Sequence, residues 1–436
     1  MVDATILTLA LTGDSMIMRR VTRTQDAAEL RLIAEIQAAD VAFTNLEVLP
    51  TNFRGHPVQD SGGDHMAAHD WVVDELSAMG FELFATATNH TLDFGVEGVL
   101  AMLEVLDAKG VSYAGVGRNL GEARMPVYHD SPAGCVSLLA CCSTFQRGSQ
   151  AGAQRPDFQG RPGLNPVRYT TTYQVRPEQL DALREIAEEL GLARQWRERI
   201  ALGFVAPPDD PEMLPFLQQN FRPAAEPAIV RTLDPGDLAV HSAWVREARM
   251  RSDIVVVSIH AHEQGASKEE PADFIPVFAR RMIDEGTDVV VGHGPHLLRG
   301  MELYQGKPIF YSLGNFIDQH DLIYKMPADA YDRFRVDQAH TPGELARQRS
   351  RDDTAGFAAD PRYWQTIMPV CRFEGRELTE LRLLPVTLGF GLPVHRRGKP
   401  ALASSDEARR ILTYFAELSA PFGVNIDGDE GRVLLG

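Results

Sequence analysis

Apolar, β-branched runs alternate with helix-period segments along most of this 436-residue chain, and five of the runs stop at a cluster of polar side chains. Residues 4–14 end in Gly13-Asp14, 41–46 lead into Asn45-Leu46-Glu47, and 81–88 lead into Asn89-His90. Further on, 253–259 run into His260-Ala261-His262-Glu263, and 289–291 into Gly292-His293-Gly294-Pro295-His296. Strands that alternate with helices need crossover connections, which cover the sheet on both faces and gather a ligand site at the strand ends. The pattern therefore predicts an α/β fold whose functional residues share one sheet edge.

Helical periodicity over 25–39, 94–108, 274–284 and 407–418 supplies the covering layers, with Gly110 closing the second helix. Short strands are expected at 111–114 and 135–142, a hairpin at 301–311 turning on Gln305-Gly306, and late strands at 365–373 and 378–384. The alternation breaks over 144–250, where Arg- and Pro-rich loops flank one helical segment at 177–200. Its apolar content is thin for a separate core, so the block reads as an insertion in one domain spanning 1–436. The polar stretch 318–362 reads as a second insertion or lid.

An apolar content of 44% supports a packed core, and 60 acidic against 43 basic side chains give a net charge of -17. Such a field repels phosphate backbones and anionic lipid, so neither nucleic acid nor a membrane is an expected partner. No basic leader precedes the first strand and no apolar run is long enough to span a bilayer, so the expected location is cytoplasmic. The four cysteines form no C-x-x-C pair, and three lie in one apolar run, as buried reduced thiols do.

Each cluster alone has an ordinary explanation as a turn, a helix cap or a hydrogen-bonded loop histidine. Together, one Asp, one Glu, one Asn and several His at successive strand ends form a nitrogen and oxygen donor set suited to one or two divalent metals.

These stretches, with Val48-Leu49-Pro50 after Glu47, Asp93-Phe94-Gly95, and Tyr311-Ser312-Leu313-Gly314-Asn315-Phe316, resemble the motifs of the CapA family of poly-γ-glutamate capsule biosynthesis. That family belongs to the calcineurin-like metallophosphoesterase superfamily. The resemblance covers the framework from about residue 5 to residue 317, outside the first insertion. It implies a four-layer α/β/β/α sandwich with a dimetal-type centre for Mn, Zn or Fe. Carried over by position, Asp14 and His296 serve the first metal, Glu47 bridges, and Asn89, His260 and His293 serve the second. His90 then corresponds to the group that protonates a leaving group. His262 and Glu263 have no counterpart and stand as acid/base candidates or as supports for the ligands. Two departures matter: Met16 stands where the superfamily usually has a histidine, and His260-Ala261-His262-Glu263-Gln264 replaces a His-Trp-Gly-x-Glu segment common in relatives.

Three readings follow. In the first, a metal-dependent hydrolase cleaves an amide in a peptide or polyglutamate-like chain, with a phosphate ester as a lesser substrate and arginines of the insertions binding carboxylates. In the alternative, the enzyme is a metal- and cofactor-independent peptide epimerase of the kind found in lasso-peptide biosynthesis. Groups drawn from Asp14, His90, His260, His262, His293 and His296 would then remove and return a Cα proton. In the third, the cluster is a remnant in a scaffold for polymer assembly.

Overall fold

The computed structural model describes residues 5–427 and 431–435. Its framework strands are β1 (Ile6–Met16), β2 (Val41–Leu46), β3 (Leu83–Ala85), β4 (Ser112–Ala114), β5 (Gly134–Cys142), β6 (Ile254–His260), β7 (Val289–His293), β8 (Leu298–Tyr304), β9 (Lys307–Leu313), β10 (Asn315–Asp318), β11 (Gln365–Glu374) and β12 (Glu377–Thr387). The framework helices are α1 (Ala27–Gln37), α2 (Trp71–Met79), α3 (Gly95–Lys109), α4 (Pro235–Arg251), α5 (Phe274–Glu285) and α6 (Ser405–Ser419).

One sheet runs β12-β11-β1-β2-β3-β4, with β10 alongside the end of β1; the other runs β8-β9-β7-β6-β5 and closes with Val127–Ser131. Neighbours β1 to β4 are parallel, as are β5, β6 and β7, and antiparallel strands extend each sheet. Residue alternation explains the layering. In β6, Ile254 and Val256 join Leu9, Leu11 and Phe43 between the two sheets, whereas Val255 and Val257 face α4 and α5. On the opposite outer face, Ala10, Ala42 and Phe84 meet Leu32 and Ile36 of α1 and residues of α2 and α3. Strands buried on both faces must be apolar at every position, hence the unbroken runs in the sequence. Each such Val, Leu or Phe contributes roughly 1.5–3 kcal/mol by leaving water. The result is an α/β/β/α sandwich, with Ile411, Leu412 and Phe415 of α6 completing the inter-sheet core.

The first insertion differs from the expectation of loops around one helix. Tyr169–Val175 is the third strand of a four-stranded sheet with Leu214–Phe216, Gln219–Pro223 and Ala228–Leu233. These strands are short, half exposed and interrupted by proline, so they carry little periodic signal. The expected single helix is two, Pro177–Glu189 and Leu192–Ala201, separated at Gly191 with φ 72°. Helix α4, within the same block, belongs to the outer layer: Val245 and Ala248 pack on the second sheet. The segment after β10 carries helices Ala328–Phe334 and Pro342–Arg349 around a small core of Ala330, Tyr331, Val336 and Leu345.

Candidate functional site

The strand ends of both sheets meet at one crevice. Gly13 makes the crossing possible, since a Cβ there would lie 1.9 Å from the Gly314 carbonyl oxygen. That carbonyl instead accepts the Asp14 N–H at 2.9 Å. The β1–β2 register shifts between Leu11 and Asp14, and the shift delivers the Asp14 side chain into the crevice. Glu47 follows β2, Asn89 and His90 follow β3, His260 and His293 terminate β6 and β7, and these five, like Asp14, are buried. His296 is buried as well and adopts a left-handed φ of 65°, a conformation costing a non-glycine residue roughly 1–2 kcal/mol. Strain of this kind persists where surrounding contacts fix a side chain for use.

The hydrogen bonds settle the ring tautomers. Asn89 donates Nδ2–H to the Gly62 carbonyl at 3.0 Å, so its Oδ1 faces His260 and accepts Nε2–H at 2.8 Å. The bare Nδ1 of His260 then accepts Nδ1–H from His293 at 2.9 Å, and His293 Nε2 accepts the Ser258 hydroxyl at 2.6 Å. His262 Nε2 lies 3.0 Å from His260 Nε2 and is an acceptor there. Asn45 donates to Asp14 Oδ1 at 2.8 Å, and the Gly294 N–H to Asp14 Oδ2 at 3.0 Å. His90 donates Nδ1–H to Asp93 at 2.7 Å.

Both oxygens of Glu47 are buried without a hydrogen-bond donor. Around Oε1 stand His260 Nε2 and His296 Nε2 at 3.8 Å and His90 Nε2 at 4.0 Å. Asp14 faces His293 at 3.5 Å, His296 at 3.7 Å and His260 at 3.8 Å. Two carboxylate and imidazole groups could each hold a cation: Asp14 with His260 and His293, and Glu47 with His262 and His296. This grouping differs from that implied by the resemblance, because His262 joins Glu47 and His296, and His260 and His293 stand with Asp14. Asn89 adjoins the first group through His260.

Burial governs the charges. It raises the Asp14 pKa to about 7 and, with Asp14 beside it, raises Glu47 well above the usual glutamate range. Burial and neighbouring imidazoles keep His260 and His262 well below the usual histidine range, and lower His293 to about 3 and His296 to about 4. His90 goes the other way: burial, the largest single influence, opposes its charge, but Asp93 and Asp64 together raise its pKa above the usual histidine value. The crevice thus pairs imidazoles held neutral with one whose charged form its carboxylate neighbours favour.

A cavity of about 370 Å³ opens onto Asn89, His90, His262 and His296. Met16, Met66, Ile323, Met326, Leu345 and Phe357 make its apolar wall, so the segment 318–362 lines the site. An ion pair between Arg349 and Asp64 ties that segment to the loop opposite.

One candidate is not in the crevice. Glu263 turns away and accepts the Ser143 hydroxyl at 2.7 Å and the Tyr169 hydroxyl at 3.0 Å. Several residues beyond those singled out in the sequence contribute: Asn45, Ser258 and Asp93 by the bonds above, and Asn315, which accepts His296 Nδ1–H at 2.9 Å. Asn45, Asp93 and Asn315 stand inside motifs whose neighbours drew attention, a signal that could have found them; Ser258 had none.

Fold and site together define a class, an α/β/β/α sandwich with a carboxylate and imidazole centre at its strand ends. The profile of the bacterial capsule synthesis protein PGA_cap family matches residues 8–320. The Sinorhizobium fredii protein y4sH is 36% identical over 430 residues, covering 96% of this chain and 90% of its own. The PGA biosynthesis protein CapA of Bacillus subtilis is 25% identical over 317 residues, covering 72% of this chain and 63% of its own. Among solved structures, the NAD nucleotidase NadN of Haemophilus influenzae aligns with a TM-score of 0.36 at 10% identity, over 94% of this chain and 62% of that one. The chain belongs to the bacterial capsule synthesis PGA_cap family. Among the described residues, no helix is long and apolar enough to cross a membrane.

Proposed function

We propose that this protein is a hydrolase that cleaves an amide bond in a peptide or γ-glutamyl-type chain with the help of divalent metal. The observation carrying the proposal is Glu47, a fully buried carboxylate surrounded by imidazole nitrogens and given no donor among the described residues. An ionised carboxylate in that setting is costly unless a cation offsets it. The donor chemistry of both groups suits Mn, Zn or Fe, with Asp14, His260 and His293 holding one ion and Glu47, His262 and His296 the other. Such an ion, when bound, acts as a Lewis acid and acidifies water.

The chain's own residues supply the rest. Asn45 and the Gly294 N–H orient Asp14, Ser258 orients His293, and Asn315 orients His296. His90, whose protonated form Asp93 favours, faces the cavity and donates a proton to the departing nitrogen. A poly-γ-glutamate-like substrate agrees with the name of the Bacillus subtilis relative. Metal content of the purified chain, and release of p-nitroaniline from γ-glutamyl-p-nitroanilide before and after chelation, test the proposal; full activity in metal-free protein contradicts it.

A second reading is favoured by a different observation. His90, with its pKa raised, lines the same cavity as His262 and His296, whose pKa values are lowered. A peptide Cα between them could lose a proton to one side and regain it from the other, which is epimerisation without metal or cofactor. Deuterium uptake at Cα without cleavage, in heavy water, identifies that reaction.

A further inference from the structure

Arg299, three residues beyond His296 on β8, is completely buried, 0% exposed; Glu263 and Glu269 act on its charge from a distance, and among the described residues its hydrogen bonds go to backbone carbonyls. Arginine is almost never fully buried without a partner that uses its planar fork. Here the fork closes on three backbone carbonyls: Nε donates to Lys268 at 2.9 Å, Nη1 to Ala261 at 3.2 Å, and Nη2 to His262 at 3.2 Å. Two of the three belong to the turn on which His262 leaves β6. The turn is also held by the His262 N–H donated to Thr144 Oγ1 at 2.8 Å, the Ala261 N–H donated to the His293 carbonyl at 2.9 Å, and the bonds Glu263 accepts from Ser143 and Tyr169, but the arginine is the group that links it to β8.

The guanidinium therefore joins the two chain segments whose imidazoles face each other, with the rings of His262 and His296 5.4 Å apart and edge to face. Its charge is not consumed by catalytic chemistry, because the backbone separates it from the cavity: Arg299 is absent from the cavity lining, whereas His262 and His296 both belong to it. We propose that Arg299 is a positioning residue that fixes the His262 turn against β8 and so sets the separation of the His262 and His296 rings. The inference rests on the reading that these imidazoles are working groups of the site. A lysine there keeps the charge but presents a single nitrogen, which cannot span three carbonyls in the plane of the fork.

The test uses the full chain labelled with ¹⁵N-histidine, its ring signals assigned through His262→Gln and His296→Gln. Arg299→Met is expected to displace the ring signals of His262 and His296 while those of His129 and His241, remote from the crevice, stay in place. Arg299→Lys is expected to displace the same two signals by less, in a protein that unfolds cooperatively like the parent. Turnover of γ-glutamyl-p-nitroanilide should fall about a hundredfold in kcat for Arg299→Met, as expected for a side chain displaced by about 1 Å, with KM within about threefold. Unchanged His262 and His296 signals in the lysine variant overturn the proposal, as does equal displacement of the remote histidines, which marks general loosening. If the methionine variant does not fold, the lysine variant decides alone. A parent protein inactive on this probe counts against the hydrolytic reading, and the ring signals still decide the role of Arg299.

Discussion

Asn315 fixes the direction in which His296 presents its lone pair. The amide donates both hydrogens elsewhere, to Asp318 at 2.8 Å and the Tyr363 carbonyl at 3.3 Å, so its oxygen accepts His296 Nδ1–H. The bare Nε2 then points to Glu47, 3.8 Å away. Partners of this kind around a metal-ligating histidine are commonly worth 10–100-fold in affinity or activity. Asn315→Leu should weaken Zn²⁺ binding by about 10–100-fold. Calorimetric titration of the variant checks this, and unchanged affinity refutes the orienting role.

His90 and Asp93 should act as one acid. His90→Ala and Asp93→Asn are each expected to lower kcat by about 10²–10⁴-fold, the usual range for a general acid. The double variant should be scarcely worse than His90→Ala, because Asp93 works through the imidazole. Steady-state rates of the three proteins provide the check, and additive losses would argue for separate roles.

Glu47→Gln separates stability from cation binding. Burial and the neighbouring Asp14 push the Glu47 carboxyl well above the usual glutamate range in the metal-free chain and so favour its neutral form, which an amide mimics; the substitution should change unfolding free energy by less than about 1 kcal/mol. The same change removes the negative charge a cation requires. Urea unfolding of chelated protein, set beside Zn²⁺ titration of the same sample, should show nearly equal stability and lost binding.

Away from the crevice, Glu75 ties the loop at 20–22 to α2. Burial works against its charge. Thr22, Arg20 and Val21 donate to its carboxylate and hold its pKa below the usual glutamate value. A lowered carboxyl pKa stabilises the fold above the unfolded-state value of about 4.3, and this contribution vanishes as pH falls through the folded-state value. Glu75→Gln should therefore cost about 2 kcal/mol at pH 7. The gap to the parent should narrow below about pH 4. A pH-independent gap in urea unfolding contradicts this account.

The framework was legible because buried parallel strands declare themselves twice, by unbroken apolar residues and by the polar residues at which they stop. That Asp14, Glu47, Asn89, His260 and His293 gather at one crevice was therefore readable in one dimension. The direction of Glu263 was not legible between its two candidate roles, acid/base group or support for the ligands: side chains at i and i+2 share a face and i+3 falls on the other, and the structure directs Glu263 to Ser143 and Tyr169. The sheet at 169–233 was hidden by its half-exposed strands, where alternation is weak. Arg299 and Asn315 act through backbone and neighbouring side chains, and no spacing in the sequence marks such contacts.

Cation stoichiometry tests the central claim most directly. Chelated protein titrated with Zn²⁺ in a calorimeter should take up two equivalents per chain, and the Glu47→Gln variant should lose at least one of them. No uptake by the parent, or the same uptake by both proteins, would contradict the assignment of this crevice as a metal centre.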